Sequence, residues 1–130
     1  MGDQLEGIYR DYIAALNDRR LDDLGQFVHD RLTYNGEQWS RERYQARLTD
    51  DVRNIPDLRY EVQLLVTGPD HVAARLWFDC APRHEFLGLT PDGRRVSFAE
   101  HVFYRFRANR IEHVWSLIDT DSIRRQQAAT

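Results

Sequence analysis

Lysine is absent from this chain, and all 18 of its basic residues are arginine. Without a lysine amine, no Schiff base can form with a carbonyl substrate or with pyridoxal phosphate. Cysteine occurs once, at Cys80, so no disulfide can form within the chain, and the reducing cytoplasm is the expected location. Neither an apolar run of membrane-spanning length nor the basic and apolar segments of a signal peptide occur, so we expect no membrane association.

The chain also lacks any concentration of charge of one sign. Its 18 basic and 21 acidic residues are mixed throughout and give a net charge of −3. A nucleic-acid surface needs a clustered basic face, so no nucleic-acid partner is expected. The histidines show no zinc-type spacing with Cys80, and the His84-Glu85 pair lacks the second histidine of a helical metal motif. The sequence therefore predicts no metal and no cofactor.

What is present is enough apolar sequence for one core, with 42% hydrophobic and 12% aromatic residues. Helical spacing of the apolar residues predicts a helix from Leu5 to Leu16 and a shorter one from Leu21 to Val28. A third helix is predicted between an N-cap at Ser40 and a stop at Pro56. The segment from His29 to Trp39 looks irregular, and Asn35-Gly36 within it is a turn signal.

From Leu58 onward the apolar pattern has a period of two, which predicts antiparallel strands. The predicted strands are 58–66, 72–80, a short piece from His84 to Leu89, and two long strands across Arg94–Asp119 joined at Ala108-Asn109. Three helices followed by such strands predict one α+β domain over residues 1–130, with the helices covering one face of a curved sheet. A curved sheet with polar groups on its concave side makes a small-molecule pocket. Because both faces of the sheet are substantially apolar, the alternation does not identify the inner face. Three helices cannot cover so many apolar residues, which predicts a homodimer.

Several short motifs together resemble one protein family. They are Pro56-Asp57 before the first strand, Gly68-x-Asp70-x-Val72-Ala73-Ala74-Arg75 across the first hairpin, Phe86-Leu87-Gly88 before Pro91-x-Gly93-Arg94, and Trp115 four residues before Asp119. This pattern, spread from Leu5 to Asp121, resembles the polyketide-cyclase-like (ester cyclase) branch of the nuclear-transport-factor-2-like superfamily. The resemblance implies a cone-shaped α+β barrel with a deep pocket, a homodimer, and no required metal or cofactor. It does not fix the activity, since relatives include cyclases, isomerases, dehydratases, epoxide hydrolases and binding-only proteins.

By this resemblance Asp119 matches the aspartate that is the general acid/base in cyclases of the family. A carboxylate at a strand end, on the same parity as Trp115 and Leu117, can be desolvated so that its pKa rises. The alternative is an aspartate that caps the following turn. The family's partner histidine corresponds in position to Arg105 here, while His101 lies on the same parity further along the strand.

Glu100 is the third candidate acid/base residue, because it interrupts an otherwise apolar row of the first long strand. It is either ion-paired with an arginine such as Arg75 or Arg94, or a neutral carboxyl of raised pKa that donates a proton in the pocket. Glu100 and His101 are adjacent in one strand, so only one of them can face the pocket.

Aromatic residues near these acids are candidates for ligand binding, with simple core filling as the alternative. The predicted ligand-binding set is Tyr34, Trp39, Tyr104, Arg105 and Trp115. The phenol of Tyr34 can hydrogen-bond a ligand carbonyl. The sequence therefore predicts a cofactor-independent cyclase, isomerase or lyase acting by acid/base chemistry on a small hydrophobic carbonyl compound. The alternative is a non-catalytic binding protein for a small hydrophobic ligand.

Overall fold

The computed structural model describes residues 2–88 and 90–128 of the chain. The elements in chain order are α1 (Gly2–Asn17), a 3-10 helix (Leu21–Gln26), β1 (Val28–Tyr34), β2 (Glu37–Ser40), α2 (Arg41–Asn54), β3 (Glu61–Thr67), β4 (His71–Cys80), β5 (Val96–Arg107), β6 (Arg110–Ile118) and α3 (Thr120–Ala128). Within the described ranges, no helix combines the length and the apolar character needed to cross a membrane.

The strands form one six-stranded sheet in the order β2-β1-β6-β5-β4-β3, which is curled but not closed into a barrel. The α+β class is therefore confirmed. The sheet is mixed and not wholly antiparallel, because β1 runs parallel to β6 while the other neighbouring pairs are antiparallel. The parallel pairing is possible because β1 and β6 are far apart in sequence and are not joined by a hairpin.

The helices at the start of the chain cover the concave face of this sheet. In α1, the buried residues Leu5, Tyr9, Tyr12 and Leu16 recur every three or four positions, so they share one face. The ring of Tyr9 lies 5.0 Å from that of Tyr104 on β5. The predicted cap of α2 is confirmed, since the Ser40 hydroxyl accepts a hydrogen bond from the Arg43 amide at 3.1 Å.

The segment predicted to be irregular is a β-hairpin, and that prediction was wrong. Strands β1 and β2 pair from Arg31 with Ser40 to Tyr34 with Glu37. The turn at Asn35-Gly36 is as predicted, with φ values of 47° and 87°. The hairpin lies at the sheet edge, where most of its side chains meet solvent, so the strands lack a clear apolar alternation.

The second predicted helix is shorter than expected, a 3-10 helix that ends at Gln26.

The long hairpin of β5 and β6 is confirmed, with Ala108 and Asn109 at positive φ in its turn. Next to the turn, β6 contains an irregularity in its pairing. Arg105 pairs with His113 but Phe106 pairs with Ile111, so Glu112 is an extra residue, as in a β-bulge. An extra residue reverses the inward and outward alternation of every residue beyond it.

The short strand predicted from His84 to Leu89 is reduced to a single bridge at Phe86, and Leu89 lies outside the described residues. Phe86 packs on Phe98 of β5, with ring centroids 5.7 Å apart. Helix α3 closes the same end of the sheet, since the Gln126 side chain bonds both the amide and the carbonyl of Ser97.

Candidate functional site in the concave face of the sheet

A cavity lies between the concave face of the sheet and helices α1 and α2. Its volume is about 70 Å³. Apolar and aromatic side chains form most of its wall. Its polar groups come from Tyr12, Tyr34, Tyr44, Arg47, Asp51, Tyr60, Glu100 and Tyr104. A mostly apolar wall with a few polar groups is the composition of a small-molecule site.

Glu100 faces this cavity from the middle of β5. Its inward neighbours on the same strand, Phe98 and Val102, are 2% and 1% exposed. The Ser116 hydroxyl of β6 donates a hydrogen bond to its carboxyl. Burial raises the pKa of Glu100, and the negative charge of Asp51 adds to this effect. The Ser116 hydrogen bond and the charge of Arg47 lower the pKa but do not outweigh the burial.

The ion-pair alternative for Glu100 does not hold among the described residues. Arg75 projects from the outer face of the sheet, where it bonds Gln63 and His101. Arg94 bonds Asp92 in its own loop, with 2.6 Å between the nitrogen and the oxygen. Within the described part of the chain, no basic side chain lies within salt-bridge distance of Glu100. The carboxyl therefore lies in the cavity wall with a hydroxyl as its hydrogen-bond partner.

A second carboxyl in the same cavity, that of Asp51, was not predicted. Asp51 lies on α2, and Arg47 Nε is 3.6 Å from its Oδ1. Burial raises the pKa of Asp51, while Arg47 opposes the increase. The sequence contains the signal, since Asp51 lies seven residues after Tyr44 and therefore on the same face of the helix. The prediction of this helix rests on the apolar residues of that face alone.

The cavity wall also carries an unusual number of phenols. The hydroxyls of Tyr12 and Tyr44 are hydrogen-bonded at 2.7 Å, and Tyr9 donates to Tyr104 at 3.4 Å. Burial raises the pKa of Tyr12, Tyr44 and Tyr104 well above its usual value. These groups therefore remain neutral hydrogen-bond donors at ordinary pH.

Asp119 lies outside the cavity, contrary to the expectation that it points into the pocket. It follows β6, it is exposed, and its Oδ1 accepts a hydrogen bond from the Ser122 amide at 3.1 Å. This is the N-cap position of α3, so the geometry matches the capping alternative.

The bulge in β6 explains why Asp119 lies outside the cavity. Strict alternation from the buried Ile111 would place Trp115, Leu117 and Asp119 on the inner face. The extra residue at Glu112 inverts the count, so that Val114, Ser116 and Ile118 face inward instead. Trp115 is accordingly 39% exposed, and it stacks on His113 on the outer surface with 3.7 Å between ring centroids.

The remaining predicted residues divide between the two faces. Tyr34 and Tyr104 line the cavity together with Glu100. His101 and Arg105 lie on the outer face, where Arg105 is 3.6 Å from Glu112 and His101 bonds Arg75. His101 and Asp119 do share an open depression there.

Trp39 does not line the cavity, although its neighbour does. Its ring stacks on Tyr34 with 4.4 Å between centroids, and the guanidinium of Arg43 lies 4.1 Å from the same ring. Trp39 is buried and packs on the side of the Tyr34 ring that faces away from the cavity.

A curled α+β sheet with helices across its concave face and a cavity between them is the nuclear-transport-factor-2-like cone fold. Two Streptomyces structures share it at low identity. IdmH, a candidate polyketide cyclase from Streptomyces antibioticus, is 22% identical with a TM-score of 0.83 over 97% of this chain and 99% of that chain. AclR, a candidate hydroxylase from Streptomyces galilaeus, is 20% identical with a TM-score of 0.80 over 100% and 99%.

The profile of the SnoaL-like polyketide cyclase family matches residues 6–127. A SnoaL-like polyketide cyclase from Agrobacterium tumefaciens strain C58 is 44% identical, with a TM-score of 0.92 over 95% of this chain and 97% of that chain. Among curated proteins, no sequence matches. The chain belongs to the SnoaL-like polyketide cyclase family, as the motifs in its sequence indicated.

Proposed function

We propose that this chain is an acid/base enzyme, a cyclase, isomerase or lyase, for a small hydrophobic carbonyl compound, with Glu100 as its proton-transfer group. The observation that supports this is the position of the Glu100 carboxyl in the cavity wall, bonded to Ser116 and without a basic partner among the described residues. Of the three acid/base candidates from the sequence, Glu100 is the one that lines the cavity in the concave face of the sheet.

The chemistry that this arrangement suits is proton transfer next to a carbonyl group. The Glu100 carboxylate takes a proton from the carbon beside the carbonyl, the C–H electron pair forms a C=C bond, and the carbonyl π pair moves to oxygen. The enolate oxygen can be stabilised by hydrogen bonds from the phenols of the cavity wall. The protonated Glu100 then returns its proton to carbon, so no other reactant is consumed. A raised pKa makes the carboxylate a stronger base for the first step.

Asp51 and Arg47 supply a second pair of polar groups for the same ligand. Arg47 stabilises the ionised form of Asp51, whereas Glu100 has only a neutral donor beside it. We assign Glu100 the transferable proton and the Arg47–Asp51 pair a role in holding the ligand.

Solvent hydrogen exchange tests the proposal without knowledge of the natural substrate. Cyclohexanone and a set of small open-chain ketones are incubated with the protein in deuterated water, and deuterium at the α-carbon is followed by NMR. We expect wild-type protein to accelerate exchange and Glu100→Gln to lose about 100-fold or more of the acceleration, the usual contribution of a general acid/base. Asp119→Asn, an acid outside the cavity, is the matched control and should retain the wild-type rate.

Two other outcomes would contradict the assignment. If Asp119→Asn or His101→Asn stops exchange while Glu100→Gln does not, the chemistry belongs to the outer depression that His101 and Asp119 share. If ketones bind but no member of the set exchanges faster than in buffer, the non-catalytic binding protein becomes the better description.

A further inference from the structure

Tyr60 is a cavity residue whose position is firmly held but whose hydroxyl is free. It directly precedes β3, its side chain is 8% exposed, and it lies in the cavity wall. The Asn17 side chain bonds the Tyr60 amide at 2.7 Å and its carbonyl at 3.0 Å, which ties the residue to the end of α1. Its ring packs edge-on against Phe78 with 5.4 Å between centroids.

The hydroxyl of Tyr60 has no hydrogen-bond partner among the described residues. Other buried phenols of the cavity region do have partners, in the Tyr12–Tyr44 and Tyr9–Tyr104 pairs. Among the described residues, the fully buried side-chain atoms without a partner are Trp39 Nε1 and His113 Nε2. The Tyr60 oxygen therefore keeps some accessible surface, so a molecule in the cavity can reach it. An unpaired hydroxyl in a cavity wall is a group whose partner a ligand can supply.

We propose that the Tyr60 hydroxyl is a specificity-determining hydrogen-bond donor, which makes the cavity select neutral ligands that carry a carbonyl oxygen over hydrocarbons of the same shape. This rests on the proposed function in one respect, since it concerns the same cavity and the same class of carbonyl ligand. It does not require Glu100 to catalyse any reaction.

The surroundings of Tyr60 define the class of ligand further. Burial raises the pKa of Tyr60 well above its usual value and the nearby charge of Asp51 adds to this, so the phenol keeps its proton and donates it to a hydrogen bond. Two carboxyls, those of Asp51 and Glu100, face the same cavity with one arginine, Arg47. A negatively charged ligand would meet both carboxyls, so a neutral oxygen fits this wall better than a carboxylate or phosphate.

Tyr60 and Glu100 lie in the wall of the same cavity. Phe78, which the Tyr60 ring contacts, pairs with Phe98 on β5, two residues before Glu100. Strand β4 therefore lies between the two polar groups, which are offset by two residues along the sheet.

Paired probes test this assignment. Cyclohexanone and methylenecyclohexane have the same ring and differ in an oxygen or a methylene group at one position. Their dissociation constants are measured by ligand-observed NMR for wild type, Tyr60→Phe and Tyr9→Phe. Tyr9 is the matched control, a fully buried phenol that is not in the cavity wall. We expect Tyr60→Phe to weaken cyclohexanone binding about fivefold to tenfold, the usual effect of one neutral hydrogen bond, and to leave methylenecyclohexane binding unchanged.

A carbonyl signal gives a second readout that a merely structural role would not change. With ¹³C at its carbonyl carbon, cyclohexanone should show a downfield shift on binding to wild type and to Tyr9→Phe, and the shift should be lost with Tyr60→Phe. The proposal is overturned if Tyr60→Phe keeps the ketone preference, if wild type binds both probes equally, or if cyclohexanone does not bind at millimolar concentration. Failure of the catalytic proposal is recognised separately, because α-carbon deuterium exchange and its dependence on Glu100 are measured independently of these dissociation constants.

Discussion

Glu100 is the residue on which the chemistry of the cavity depends, because its charge is stabilised there by a hydroxyl and not by an adjacent cation. Its folded-state pKa is raised above the ordinary value of 4.5, so the folded protein holds this proton to higher pH than the unfolded chain does. The difference between the two pKa values contributes to the free energy of unfolding. This contribution is fully present below pH 4.5 and is lost as the pH rises through the folded-state pKa.

We therefore predict that Glu100→Gln changes the pH dependence of stability. The amide has nearly the same shape as the neutral acid and cannot ionise, so it avoids the cost of a buried charge. The variant should match wild type near pH 4.5 and become relatively more stable as the pH rises. Urea unfolding from pH 4 to pH 8 measures the difference in the free energy of unfolding. A loss of several kcal/mol in the variant at neutral pH would instead indicate a buried ion pair.

Asp51→Asn is the companion measurement, because Asp51 also titrates with a raised pKa in the same cavity. If the pH effect followed Asp51→Asn and was absent in Glu100→Gln, the carboxyl that titrates on folding would be the one on α2.

At the scale of elements, the C-terminal helix depends on the residue first expected to be the catalytic base. Asp119 caps α3 through the Ser122 amide, and an N-cap aspartate also interacts favourably with the positive end of the helix dipole. Helix α3 in turn holds the first residues of β5 through the two Gln126 hydrogen bonds to Ser97. Asp119 thus has a structural task that its position at the end of β6 makes possible.

We predict that Asp119→Ala destabilises the protein by about 0.5–2 kcal/mol, the cost of losing an N-cap, while the rate of ketone exchange stays that of wild type. Asp121→Ala is the matched control. Asp121 is an exposed acid in the same turn whose partner is Arg124 at 3.2 Å, and an exposed ion pair contributes about 0–1 kcal/mol. Chemical denaturation and amide exchange of α3 measure both variants. Equal, negligible losses would mean that the cap contributes nothing.

At the scale of the whole molecule, the outer face of the sheet carries an apolar surface that no described residue covers. Its exposed large side chains are Leu64, Val66, Phe103, Trp115 and Leu117. The strand register aligns them in two rows across the sheet, one of Val66, Ala73, Phe103 and Trp115 and one of Leu64, Arg75, His101 and Leu117. We call these two rows the outer patch. The first row is apolar across four strands, and the second has Leu64 and Leu117 at its ends with Arg75 and His101 between them. An exposed apolar row with polar neighbours is typical of an interaction surface.

We propose that a second copy of the chain covers the outer patch, as the homodimer predicted from the sequence requires. Sedimentation velocity at micromolar concentration should show a dimer for wild type. Leu117→Arg should shift the protein to monomer, because it puts a charge without a partner into the apolar contact. Ala46→Arg, an exposed change on α2 away from the patch, should leave the dimer intact. A monomeric wild type at this concentration would contradict the proposal.

The local properties of the sequence were enough to predict much of the fold. Helical spacing identified α1, the Ser40 hydroxyl identified the start of α2, and period-two alternation with turn residues identified β3 to β6. These signals are local, since caps, turns and alternation depend on residues only a few positions apart. The apolar row around Glu100 was such a signal too, and it correctly placed this acid beside Phe98 and Val102 on one face.

The tertiary structure decided which face of the sheet encloses the cavity and which acids reach it. Both faces of β5 and β6 are apolar, and only packing against α1 and α2 distinguishes them. One extra residue at Glu112 reversed the parity of β6, because side chains alternate strictly along a strand, and that moved Asp119 and Trp115 outside. Asp51 joined Glu100 only because α2 folds across the sheet. These contacts join residues that are distant in sequence, so local sequence patterns cannot predict them.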